Sequence, residues 1–282
     1  MGFMRTASSF FLSASIFIIP IYVLALIAVY FLQRSFLYFP SSSYVMPKDA
    51  NAPAALQELV VKTEDGLELK GWYAPASGKA FTLVFLHGNG DSLATAAPVA
   101  APYIAAGYGF LVAEYRGYSG LRGKPTEQGL YWDGRAYLKA LLATGVKEEN
   151  IILFGYSLGS GVATQMATEF HVGGLILLAP FLSMAKMAQV RFPFFPAEYL
   201  TIDRIENFKK IPTLHVPVLM GNGGRDEVIP PSQGRDLFAS AHEPKQFYFA
   251  ENGGHTDLFD GRFYEASLSW LDKLGGKSHA SK

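Results

Sequence analysis

Cysteine is absent from all 282 residues. That excludes disulfides, a thiolate nucleophile and cysteine-based zinc sites. It leaves the compartment open, because a chain without thiols is stable in either redox environment. Excess charge of one sign is missing too, since Lys plus Arg and Asp plus Glu number 24 each. Nothing basic points to nucleic acid, and no acidic tail marks a disordered segment. Internal repeats and low-complexity tracts are also lacking. Neither a metal nor a cofactor is expected.

A third absence is local. Residues Phe10 to Leu32 contain no charged side chain. As a helix this run reaches about 34 Å, enough for a hydrocarbon core of about 30 Å. Pro20 lies inside it, which a membrane helix tolerates. Tyr30, Phe36, Tyr38 and Phe39 can form an interfacial aromatic belt beside Arg34. The expectation is a lipid-bilayer anchor through residues 10–32. A cleaved signal peptide is the alternative, but the run is longer than a typical apolar core of one and no small-x-small site follows it. Orientation is nearly undetermined: Arg5 and the α-amine precede the span, while Arg34 and Lys48 follow it. The expectation is N-terminus inside, with the large domain extracytoplasmic. Pro40 to Pro53 reads as a linker.

The remaining 240 or so residues suit one large α/β domain, or two small ones. Leu56–Lys62 and Leu67–Ala74 flank Asp65-Gly66, a hairpin signal. Phe81–Leu86, Tyr108–Glu114, Ile151–Phe154, Leu175–Ala179, Val216–Met220 and Phe247–Ala250 are nearly continuous in apolar residues, as parallel strands covered on both faces are. Between them lie helical patterns at Ser92–Ala106, Glu127–Thr144, Leu158–Phe170 and Ser232–Ala241, with Asp257–Leu274 closing the chain. This alternation predicts βαβ units with right-handed crossovers, in a sheet made mixed by the opening hairpin. One interval breaks the rhythm. Phe181 to Pro212 carries Met184, Met187, Phe192, Phe194 and Phe195, with Pro193 and Pro196. A connection that long in a compact domain is usually a lid or binding loop; its bland counterpart is a cover for the core.

Gly155-Tyr156-Ser157-Leu158-Gly159 fits the G-x-S-x-G pattern. The serine of such a motif sits on a sharp strand-to-helix turn, and glycines two before and two after leave room for it. The apolar strand before the motif and the small residues Gly159, Gly161 and Ala163 after it supply the context that a lone motif lacks. Ser157 is the candidate nucleophile. His87-Gly88-Asn89-Gly90 follows an earlier strand, where an H-G-x-G turn presents a backbone N–H towards the nucleophile. Asn89 and Leu158 are the candidate oxyanion donors, and His87 reads as part of the turn's structure. The alternative is a plain glycine turn.

Six histidines compete for the general base. His255 follows Asn252-Gly253-Gly254 between the last strand and the last helix, where a glycine loop can carry an imidazole over the sheet edge. His171 sits at a helix end, His215 before a strand, His242 in a polar loop and His279 in the tail. For the acid, Asp226 follows a strand through Gly221-Asn222-Gly223-Gly224-Arg225. Asp203 is its main rival, ahead of Glu227 and Asp236. The order Ser157, Asp226, His255 is the one the α/β-hydrolase fold uses.

With these residues in place, the chain resembles the membrane-anchored ABHD-type serine hydrolases, a group that includes protein depalmitoylases and lysophospholipid lipases and is similar to serine aminopeptidases. The resemblance runs from Gln33 to about Leu274. It is carried by Gln33-Arg34-Ser35-Phe36-Leu37-Tyr38-Phe39-Pro40, His87-Gly88-Asn89-Gly90, Tyr115-Arg116-Gly117-Tyr118, Gly123-Lys124-Pro125-Thr126-Glu127 with Gly129-Leu130, the Ser157 motif, Asp226-Glu227-Val228-Ile229-Pro230 and Gly254-His255. It implies an α/β-hydrolase fold with a mostly parallel, mixed eight-stranded sheet, helices on both faces and one transmembrane helix before it. The boundaries would be a flank at 1–9, the anchor at 10–32, a juxtamembrane linker at 33–55, the hydrolase domain at 56–275 with a lid-like excursion at 181–212, and a tail at 276–282.

Two departures stand out. Glu114 occupies the place where the group usually has Asp, and the excursion is short for a cap domain. Tyr115-Arg116-Gly117-Tyr118 reads as a fixed loop beneath the oxyanion turn, or alternatively as a substrate clamp. Gly120 to Lys124 has the wrong spacing for a phosphate loop.

The resemblance implies acyl esters or thioesters as substrates, cleaved through an acyl-enzyme. An aminopeptidase would need an acidic pocket, for which Glu114, Glu198 and Glu206 are candidates. A non-catalytic interaction protein on the same fold is the reading from another class.

Overall fold

The computed structural model describes residues 2–280, with the side chains of 2–17 and 277–280 left aside. Met1 of the flank and Ser281 and Lys282 of the tail lie outside the described residues, as do the side chains of Arg5 and His279. Eight strands form one sheet: β1 (Gln57–Lys62), β2 (Glu68–Ala74), β3 (Thr82–Leu86), β4 (Gly109–Ala113), β5 (Ile151–Tyr156), β6 (Gly174–Leu178), β7 (Val218–Gly223) and β8 (Lys245–Ala250). Their order is β1-β2-β4-β3-β5-β6-β7-β8. β1 and β2 pair antiparallel, as do β2 and β4, and every later pairing is parallel. This is the expected mixed sheet. The hairpin turns at Asp65-Gly66, where Gly66 takes φ +86°.

Ten helices accompany it among the described residues: α1 (Gly2–Leu37), α2 (Leu93–Ala96), α3 (Ala101–Ala105), α4 (Glu127–Ala143), α5 (Leu158–Glu169), α6 (Met184–Arg191), α7 (Ala197–Leu200), α8 (Asn207–Lys210), α9 (Pro231–Ser240) and α10 (Gly261–Ala280). Strands β3 to β6 are fully buried, which fits their unbroken apolar composition. The core runs through Phe85, Phe110 and Phe154, joined to Phe259 and Phe263 in edge-on and tilted contacts.

Several boundaries differ from the sequence reading, each for a local reason. The helix expected over Ser92–Ala106 is broken into α2, a 3-10 turn at Ala97–Ala100 and α3. Pro98 and Pro102 supply no N–H to continue it. The last helix starts at Gly261 rather than Asp257, because the Asp260 carboxylate accepts from the Phe263 N–H and caps it there. Strand β7 was expected over Val216–Met220 but begins at Val218 and runs on to Gly223. Gly221 and Gly223 belong to the strand, and the turn begins only at Gly224. A Cβ at Gly221 would press within 2.7 Å of the Leu178 side chain.

Helix α1 extends past both ends of the apolar run at 10–32. Within it, Ile18–Leu37 is long and apolar enough to cross a membrane. The segment after it is tied down. Tyr38 and Leu56 are buried, Gly120 N–H donates to Ser41 O, and the Tyr44 hydroxyl bonds Glu58.

The loop after β4 is fixed by a buried ion network. Arg116 bonds Asp133 on α4 through Nε at 2.9 Å and Asp65 in the hairpin turn through Nη1 at 2.7 Å. Burial pushes the Asp133 carboxyl up to about 6, against the pull of Arg116. Arg116→Ala strips that carboxyl of its cation, and breaking such a pair costs about 3–5 kcal/mol. Without Arg116 the Asp133 pKa rises further, so the folded state favours the protonated acid and stability falls as pH rises through that pKa. The variant's loss in melting temperature relative to wild type is expected to be larger at pH 8 than at pH 5. A loss independent of pH would contradict this.

Candidate active site

Parallel strands put their carboxyl ends along one edge, and three side chains gather there. Ser157 follows β5 directly, Asp226 lies three residues beyond β7 and His255 five beyond β8. Ser157 adopts φ +50°, ψ −117°, a conformation rarely taken by non-glycine residues. It is held there by its N–H, which donates to Leu178 O at the end of β6 at 2.9 Å. The turn also demands its glycines. A Cβ at Gly159 would overlap the Leu86 carbonyl, and one at Gly155 would lie 2.5 Å from Gly159 O.

The Ser157 hydroxyl donates to His255 Nε2 at 3.0 Å, and His255 Nδ1–H donates to Asp226 Oδ2 at 2.8 Å. The other Asp226 oxygen accepts from the Val228 and Ile229 N–H groups, both at 2.8 Å. That carboxylate therefore cannot rotate away from the imidazole without losing two backbone bonds. The His255 loop is pinned as well: Tyr156 Oη–H donates to His255 O at 3.0 Å, and Arg225 N–H donates to Gly253 O at 2.9 Å. Ser157 is 8% exposed, so the group is shielded yet reachable. Such a set can pass a proton from hydroxyl to imidazole while the carboxylate holds the tautomer and stabilises imidazolium.

Asn89 lies in the turn after β3, and Leu158 opens α5 directly after Ser157. Neither backbone N–H donates to an acceptor among the described residues. Two free donors, one at a helix N-terminus, can hold a developing oxyanion.

The H-G-N-G turn rests on groups from several distant parts of the chain. The Asn89 side chain is a junction: Oδ1 accepts from Phe39 N–H at 2.9 Å and Tyr118 Oη–H at 2.7 Å, and Nδ2 donates to Leu37 O at 2.7 Å. Its position in an H-G-N-G turn was legible, but its partners Leu37 and Phe39, about 50 residues earlier, were not. His87 is fully buried, with Nε2 2.6 Å from Glu114 Oε1. Burial opposes charge on this imidazole, but the Glu114 carboxylate overrides it and the His87 pKa lies above its ordinary value. The Glu114 side chain is fully buried. It also accepts from the N–H groups of Leu93 and Tyr115 and from the Ser119 hydroxyl. Tyr115 Oη–H donates to His87 O at 3.0 Å, so Tyr115-Arg116-Gly117-Tyr118 forms a fixed loop under the turn.

The rival residues sit elsewhere. Asp203 is engaged by Arg34 through two bonds and by the Tyr38 hydroxyl. His215 stacks on His242, and the N–H of His171 donates to Glu148. Of the three carboxylates considered for an amine pocket, Glu114 is buried under the oxyanion turn and Glu206 pairs with Arg204 and Lys209.

The alpha/beta hydrolase family model matches residues 83–209. An uncharacterized protein of Mycobacterium tuberculosis is 36% identical over 235 residues, covering 82% of this chain and 83% of that one. The human alpha/beta hydrolase domain-containing protein 17B is 31% identical over 210 residues, covering 72% of this chain and 70% of the human protein. Among solved structures, an esterase of Pyrococcus furiosus superposes with a TM-score of 0.69 at 18% identity, covering 84% of this chain and 96% of the esterase.

Asn89→Ala removes the junction but leaves its backbone N–H present and less well aimed. Loss of a whole oxyanion donor costs about 10²–10³ in kcat, so roughly a tenfold fall is expected here with KM nearly unchanged. Steady-state kinetics check this, and an unaltered kcat would show that the amide side chain does not position the turn.

Proposed function

The chain belongs to the alpha/beta hydrolase family and is a hydrolase, and from that premise we propose that it is a membrane-anchored serine hydrolase cleaving acyl esters or thioesters. The observation that carries this reading is the unbroken relay from Asp226 through His255 to the Ser157 hydroxyl. Ser157 Oγ attacks the acyl carbonyl while His255 Nε2 takes its proton. The carbonyl oxygen becomes an oxyanion facing the Asn89 and Leu158 N–H groups. The tetrahedral intermediate collapses, and His255 returns the proton to the leaving oxygen or sulfur. Water, deprotonated by His255, then attacks the acyl-enzyme and releases the acid.

Ester chemistry is also supported by the fold neighbour from Pyrococcus furiosus, which is itself an esterase. The acyl preference rests on the apolar helix. Ile18, Ile19, Leu24 and Phe31 are exposed along it, as a lipid-facing surface requires. Helix α1 serves as the anchor, with the hydrolase domain on the extracytoplasmic side, and it keeps the Ser157 turn near bilayer-derived substrates.

Purified protein assayed on p-nitrophenyl esters of increasing chain length is expected to show kcat/KM rising with acyl length. Preference for acetate would remove the lipid reading while leaving esterase activity intact. Asp226→Asn presents the wrong imidazole tautomer and is expected to lower kcat by roughly 10⁴ without changing the fold. A loss under tenfold would place the orienting acid elsewhere. The anchor has its own check, because the full chain is expected to stay in the membrane pellet after an alkaline carbonate wash. Release into the supernatant would sink it.

A further inference from the structure

The excursion after β6 lies along the apolar helix instead of folding over the Ser157 turn alone. At one end Arg34 forms a bidentate pair with Asp203. The preceding residue, Gln33, holds both the carbonyl of Leu200 and the N–H of Ile202. Near the other end of the described side chains, the Tyr22 ring stacks on Phe195 at 5.7 Å and its hydroxyl donates to Phe194 O. Tyr22 and Arg34 are twelve residues apart, about 18 Å along a helix. The chain from Asp203 back to Phe194 therefore follows the span for most of a leaflet's depth.

The tip reached this way is apolar and uncovered. Phe194 is 87% exposed and Tyr199 85% exposed, with Phe192 beside them. Much of its backbone is paired, although the Phe194 N–H has no acceptor among the described residues. Gln189 donates to Phe195 O and accepts from Glu198 N–H, Tyr22 caps Phe194 O, and Pro193 and Pro196 have no N–H to satisfy. In hydrocarbon each unpaired backbone group costs several kcal/mol, so such pairing is what immersion demands. The charged neighbours Lys186 and Glu198 line a cavity of ≈ 340 Å³ shared with Leu182 and Gln233 on the α9 side.

We propose that the Phe192–Tyr199 tip is a second lipid-contacting element, sunk into the bilayer beside α1, so that the domain is partly embedded and not held off the membrane on a stalk. This rests on the reading of α1 as an anchor. The surface is continuous with the exposed face of that helix, which is why lipid, and not a second copy of the chain, is its occupant.

Because the chain has no cysteine, single spin labels can be placed without a background. Phe194→Cys and Tyr199→Cys would be labelled in the full chain, with Phe31→Cys as the anchor reference and Val60→Cys on the edge strand as the aqueous one. In phosphatidylcholine vesicles, collisions with oxygen report hydrocarbon and collisions with a water-soluble nickel chelate report water. The oxygen-to-nickel ratio at 194 and 199 is expected to match that at 31 and to exceed that at 60 severalfold. Water-like values at 194 and 199 with a lipid-like value at 31 would overturn the proposal and leave the anchor standing. Water-like values at all four positions would bring down the anchor and the proposal together. Shielding of 194 from both reagents, with spin–spin broadening between copies, would also overturn it by placing a second chain on the tip.

Discussion

The backbone of Ser157 is the constraint on which the upper edge of the sheet depends. A non-glycine residue held at φ +50°, ψ −117° costs on the order of 1–3 kcal/mol, and the surroundings must over-determine it. They do so from two directions. Leu178 O on β6 takes the serine N–H, and the Leu86 carbonyl at the end of β3 approaches so closely that only glycine fits at 159. The strain thus fixes the relative height of β3, β5 and β6. One consequence is a free N–H at Leu158 beside the hydroxyl. Another is that the loops after β7 and β8 need reach only a few residues to meet it.

Helix α1 and the H-G-N-G turn share a joint. The Asn89 side-chain amide donates to the last carbonyl of α1 and accepts from the N–H of Phe39. Arg34 and Tyr38, one turn away, bind Asp203 at the base of the excursion. A segment that reads as a linker is therefore part of the platform under the turn.

Much of this was legible from the chain alone, and the division has a physical cause. Ser157, Asp226, His255 and the H-G-N-G turn were readable because each sits at the end of an apolar run, and strand ends in a parallel sheet share one edge. The β-hairpin was readable from Asp65-Gly66. Glycines misled at β7, where Gly221 serves close packing between β6 and β8 and Gly223 lets the backbone of the loop carrying His255 approach. Prolines were underweighted in the stretch 92–106, and so was the capping power of Asp260. The contacts of Asn89 with α1, and those of Asp203 and Phe195, were beyond reach, since these partners lie about 50 to 173 residues away and no local pattern announces them.

The account stands or falls on the Ser157 hydroxyl being the group that attacks. Peptide mapping after reaction with a fluorophosphonate tests this most directly. A single adduct on Ser157, absent from Ser157→Ala and formed far more slowly when His255 is replaced by Ala, is the result the relay predicts. An adduct on another residue, or none on folded wild type, would contradict it.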